Sequence, residues 1–107
     1  MAAPPSAEQV AKWKQEHGEL IQLEASAGEV AVFKAPRGAV WARFRVQAGD
    51  DKKRTVSVEN LVRGCLVYPP EAEFDALVER RPGLIESFGV ALVEHAGLTD
   101  RVEKKVL

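Results

Sequence analysis

At 107 residues, 46% of them hydrophobic, the chain has material for one domain with a modest core and too little for two ordinary domains. Its formal net charge of -1 supplies no overall attraction to nucleic acid or to an anionic membrane, and its one cysteine, Cys65, excludes an internal disulfide. No apolar run approaches the ~20 residues that cross a bilayer and no secretory h-region follows Met1, so a cytoplasmic protein without membrane contact is expected.

Residues 1–6 are small and proline-bearing and read as a flexible lead-in. Ser6 with Gln9 three positions on forms a capping-box pair, in which each side chain satisfies an orphan backbone donor of the other. The helix it starts runs to about His17, with Val10, Trp13 and His17 on one face, and Gly18 supplies the left-handed residue that ends it. Over 19–34 the period changes to two. Leu20 and Gln22 alternate with Ile21 and Leu23, Val30 and Val32 with Ala31 and Phe33, and the turn chemistry of 24–29 joins the two runs into a β-hairpin. A lone hairpin is marginal in water, so its apolar face has to lie on helices or gain a further strand.

Helical spacing returns over 39–48 through Val40, Trp41, Phe44 and Ala48, and the polar stretch 49–54 is expected to be the most mobile internal loop. Thr55 or Ser57 caps a third helix striped by Val58, Leu61, Val62 and Cys65, with Gly64 admitting a close neighbour, and this helix runs up to Pro69. After Pro69-Pro70 a short helix carries Glu71, Glu73 and Asp75 in its first turn and Arg80 and Arg81 in its last, each where the helix dipole favours that charge. Phe74, Leu77 and Val78 face inward, and Pro82-Gly83 stops it. The final helix, 84–96, puts Ile85, Phe88, Leu92 and Ala96 on one side with Leu84, Ala91 and His95 beside them, and Gly97 ends it. Residues 98–107 include Lys104 and Lys105 and few core formers, and read as a tail that is disordered or folds only in an assembly. The expected fold is α+β: one mainly helical domain over 7–97, with four to five helices and an N-terminal β-hairpin.

Candidate chemistry is sparse. Cys65, His17 and His95 do not fall at the spacing of a zinc site, and Cys65 lies in an apolar stripe where a thiol behaves as a small hydrophobe. The carboxylates Glu71, Glu73, Asp75 and Glu79 stand at a helix start, without a Gly-rich phosphate loop. No catalytic residue, metal or cofactor is therefore expected. Charge layout is more distinctive: 37–54 holds six basic and two acidic side chains, whereas 71–97 holds six acidic and two basic. Such patches steer encounters with another protein or a second copy, or else pair inside the monomer. Trp41 shares a helical face with Phe44 and is expected to be buried, which argues against base stacking and a nucleic-acid partner.

A resemblance rests on Trp13-Lys14 with His17-Gly18, Phe33-Lys34 with Pro36-Arg37, Cys65 with Tyr68-Pro69, Glu73-Phe74 with Leu77, and Pro82-Gly83-Leu84. Over about 7–97 the chain resembles the small tail assembly chaperones of long-tailed bacteriophages and prophages. The resemblance implies a non-catalytic protein of the bacterial host cytoplasm that coats the tape-measure protein and helps tail-tube protein polymerise around it. Some members of that family are also made in a longer, frameshifted form. Family motifs fix no binding residues, so the chemistry of the residues nominates Arg43 and Arg45 and the Tyr68, Pro69 and Pro70 junction, together with the hairpin edge. Two alternatives remain open: a structural minor tail or head-tail connector protein, and a small nucleic-acid-binding regulator.

Overall fold

The chain order is α1 (Ala7–His17), β1 (Leu20–Glu24), β2 (Val30–Lys34), α2 (Gly38–Ala48), α3 (Arg54–Cys65), β3 (Leu66–Tyr68), α4 (Glu71–Arg80) and α5 (Leu84–His95). The computed structural model describes residues 4–107, so the first three residues of the expected lead-in lie outside the described part. The fold is α+β, and the described residues form five helices around a three-stranded antiparallel sheet of order β1-β2-β3.

β2 is the middle strand, and position explains its composition. A strand flanked on both sides and covered on both faces can be apolar throughout, and Val30, Ala31, Val32 and Phe33 are all buried. β1 is an edge strand and keeps the two-residue alternation, with Ile21 and Leu23 against the core and Gln22 and Glu24 exposed. The hairpin register pairs Leu20 with Lys34 and Glu24 with Val30. Its turn is closed by Gly28 N–H to Ala25 O and Ala25 N–H to Glu29 O, both 2.8 Å, and φ of 93° at Gly28 requires a residue without Cβ.

Ala31 and Phe33 enter one core with Leu61, Val62 and Cys65 of α3, Phe74 and Leu77 of α4, and Leu84, Ile85, Phe88 and Leu92 of α5. Phe33, Phe74 and Phe88 form its aromatic centre, with ring centroids 5.4–6.5 Å apart. α3 packs on both α2 and α5. Glycines permit the two approaches: a Cβ on Gly64 would lie 3.5 Å from Val40 Cγ1, and one on Gly89 only 2.3 Å from Val58 Cγ1.

Several sequence expectations need correction. The third helix stops at Cys65, not at Pro69, because Leu66–Tyr68 has the apolar, β-branched and aromatic character of a strand and pairs with β2 through Val32–Tyr68 and Phe33–Leu66. That third strand answers the requirement of the lone hairpin. Neither Thr55 nor Ser57 caps α3: it starts at Arg54, Lys53 occupies the cap position without a side-chain bond, and Ser57 is buried, donating to Arg54 O at 2.8 Å. The preceding loop, as expected, is neither helix nor strand, and it carries exposed local contacts of 2.9 Å from Lys52 N–H to Asp50 Oδ1, from Arg54 Nε to Ala48 O and between Arg54 and Asp51. Asp75 lies beyond the first turn of α4, Arg81 lies beyond its last, and Ala96 follows α5 and is exposed. α1 buries no residue. Val10 and Trp13 are half-buried, His17 is exposed beside Glu16, and Gly18 has φ of 80° with ψ of -136°, outside the left-handed helical region. Trp41 is half-buried, its ring tilted by 34° against Phe44 with centroids 5.1 Å apart. Residues 100–107 form neither helix nor strand, and every residue of 98–107 is exposed.

Candidate functional site

The turn from β3 into α4 gathers three of the five nominated residues. Tyr68 stacks on Trp13 with centroids 5.5 Å apart, the Tyr68-Pro69 peptide is cis, Pro69 is buried, and Pro70 sets the exposed N-cap of α4, accepting from Phe74 N–H at 3.0 Å. The turn walls a pocket of ≈ 160 Å³ lined by Arg63, Leu66, Val67, Pro69, Pro70 and Glu71. Four of its six lining residues are apolar, and the other two, Arg63 and Glu71, carry one charge of each sign. Tyr68, although named with the junction, stands on the Trp13 side and does not line the pocket.

Arg63 organises the charge here. Its Nη1 donates to Asp75 Oδ1 at 2.6 Å and approaches Glu71 at 4.0 Å, its Nε donates to Glu59 at 3.0 Å, and the guanidinium lies 5.8 Å from the centre of the Phe74 ring. Hydrogen bonding to Asp75, then to Glu59, pushes its pKa further up, so it is a fixed cation that locks α4 against α3. The Glu59–Arg63 spacing was visible in the sequence as an i,i+4 pair. Its link to Asp75 was not, because it depends on how α4 docks.

Glu29 is the second functional-looking residue that sequence reading missed. It is only 5% exposed at the hairpin turn, and Arg81, just past α4, donates to both of its carboxylate oxygens. That hydrogen-bonded pairing, against the opposing cost of burial, holds the Glu29 carboxyl below the usual carboxylate range. The pair spans 52 positions, so no local pattern announces it. His95 Nε2 at the end of α5 lies 2.7 Å from a single carboxylate oxygen of Glu19, just before β1, in an exposed contact that bridges helix to hairpin.

Arg43 and Arg45 are exposed on α2 and lie outside the pocket. Among the described residues no ion pair joins the basic 37–54 segment to the acidic 71–97 segment; Arg54 pairs within its own loop, and the acids Glu71 and Asp75 are held by Arg63. Burial raises the Cys65 thiol to about 11, which keeps it a protonated hydrophobe at neutral pH. Among the described residues no three of His, Cys, Asp and Glu gather where a metal ion could be held, and no helix is long and apolar enough to cross a membrane.

No protein-family model and no curated protein matches the sequence. A solved structure of an uncharacterised protein from Bacillus stearothermophilus is similar, with a TM-score of 0.73 and 24% identity over 90% of this chain and 99% of the other. The likeness establishes a shared fold, in which nearly the whole of the other chain is represented here.

Proposed function

We propose that this chain is a non-catalytic assembly factor, a tail assembly chaperone of a phage or prophage that holds the tape-measure protein before the tail tube closes around it. The observation that carries the reading is the junction pocket, in which the apolar residues Leu66, Val67, Pro69 and Pro70 line a surface depression together with Arg63 and Glu71. A helix-forming partner with an exposed apolar stripe presents single side chains of about the right size for such a pocket, and the opposite charges of Arg63 and Glu71 orient it. A contact this small is weak on its own, as a chaperone that must be displaced requires, and many copies along one long partner raise total occupancy.

Co-expression with a phage tape-measure protein from the same genome, if the reading holds, tests the idea. The tagged wild type should copurify with it, and Val67→Arg, which fills the pocket with a charged side chain, should reduce recovery by roughly tenfold or more. Unchanged recovery with Val67→Arg, its far-UV circular dichroism intact, would remove the pocket from the proposal. Mass spectrometry of purified particles separates the alternative: a chaperone is absent from the finished virion, whereas a minor tail or connector protein is retained.

A further inference from the structure

We propose that copies of this chain associate head to tail, the outward face of α2 on one copy docking on the outward face of α5 on the next. The inference stands apart from the tail-assembly reading, because it concerns the purified chain alone.

The two faces are built as counterparts. On α2 the inward side holds Val40, Trp41 and Phe44, so the opposite side of the helix is centred on Val46, which is 71% exposed, with Arg43 and Arg45 to either side of it. On α5 the inward side holds Leu84, Ile85, Phe88 and Leu92, so the opposite side is centred on Val90, 56% exposed, with Glu86 one turn before it and Glu94 one turn after. Each stripe is thus an exposed valine between like charges, and the charges of the two stripes are opposite. Among the described residues no side-chain hydrogen bond or ion pair holds Arg43, Arg45, Glu86 or Glu94, whereas Arg63 and Arg81 are paired. The four charges around these two valines are therefore free to meet a second copy.

Docking Val46 against Val90 removes two exposed apolar side chains from water and brings the arginines within reach of the glutamates. A single helix-on-helix contact of this kind buries less area than a permanent dimer requires, so weak, concentration-dependent association is the outcome. Because the faces are complementary and not self-matching, any open assembly keeps one unused α2 face at one end and one unused α5 face at the other, and the contact propagates or closes a ring. The ion pairs are exposed, so salt weakens the association over the range where the screening length falls from about 30 Å to about 3 Å.

Sedimentation velocity on the full chain is the test. At about 10 mM salt the weight-average mass should rise above the monomer's 11.7 kDa as protein concentration increases, and at about 1 M salt it should return to it. The double variants R43E/R45E and E86K/E94K should each stay monomeric, because one carries two acidic faces and the other two basic faces. Mixed in equal amounts, they should associate as the wild type does, which misfolding of either variant cannot mimic. A wild type that remains monomeric at low salt, association indifferent to salt, or a mixture that fails to associate would each overturn the proposal. Retention of tape-measure binding by E86K/E94K would leave the functional reading standing whichever way the self-association result falls.

Discussion

α1 and α5 are nearly equal in length, 11 and 12 residues, and owe their existence to opposite causes. α1 has a complete capping box, with Gln9 N–H to Ser6 Oγ at 3.2 Å and Ser6 N–H to Gln9 Oε1 at 3.1 Å, yet it buries no residue and is anchored to the sheet through Trp13 on Tyr68. α5 has no side-chain cap at Gly83 and buries Leu84, Ile85, Phe88, Gly89 and Leu92. A cap decides where a helix begins; apolar burial decides whether it persists in water, since short helices are marginal without tertiary packing. In this molecule the local and the tertiary contributions are separated onto different helices, so each can be removed alone.

The largest effect is expected at Gly89. On helix propensity alone, Gly89→Ala gains about 1 kcal/mol. Its Cβ would stand 2.3 Å from Val58 Cγ1, however, on a β-branched side chain that cannot swing aside within a helix, and a net loss of about 1–3 kcal/mol is expected in urea unfolding. Adding Val58→Ala should recover part of that loss by opening the contact. A more stable Gly89→Ala protein would mean that α5 is not held by the close approach to α3.

Intermediate in effect is the Glu29–Arg81 pair, which ties the hairpin turn to the segment between α4 and α5. Because the folded-state pKa of Glu29 is depressed, its contribution is fully present above the ordinary carboxylate value of about 4.3 and is lost as pH falls through the lower folded value. Urea midpoints measured from pH 7 to pH 2 should therefore show the wild type above Glu29→Gln at neutral pH, with the two curves converging in acid. Parallel curves would show that the carboxylate form of Glu29 contributes nothing specific.

The smallest expected change is Ser6→Ala. It should cost about 0.5–1 kcal/mol of helix stability. Confined to α1, that loss should appear as faster amide exchange in 7–17 while the urea midpoint of the remainder barely moves. A shift of the global midpoint as large as that of Gly89→Ala would erase the contrast between the two helices.

The same division governs what could be read in advance. The capping box at Ser6, the hairpin, the stripes of α2, α3 and α5, and the proline and glycine stops are all short-range patterns, and their elements are present at or near the expected positions. The nominated junction is a surface feature with a pocket, but its lining from Arg63, Leu66 and Val67 was not foreseen. Leu66–Tyr68 continues an apolar helical stripe in sequence, and three residues are too few for periodicity to distinguish helix from strand. What makes them a strand is the free edge of β2 and the proline pair that follows.

The amino-acid sequence by itself determined the class of fold, the order of most elements and the segregation of basic and acidic segments, because caps, turns and periodicities act within a few residues. Only the tertiary structure decided that β3 completes the sheet, that Arg63 and Arg81 are satisfied internally by Asp75 and by Glu29, and that Arg43, Arg45, Glu86 and Glu94 are left unpaired around two exposed valines. Those outcomes depend on which surfaces docking brings together across tens of residues, and local chemistry carries no record of that distance.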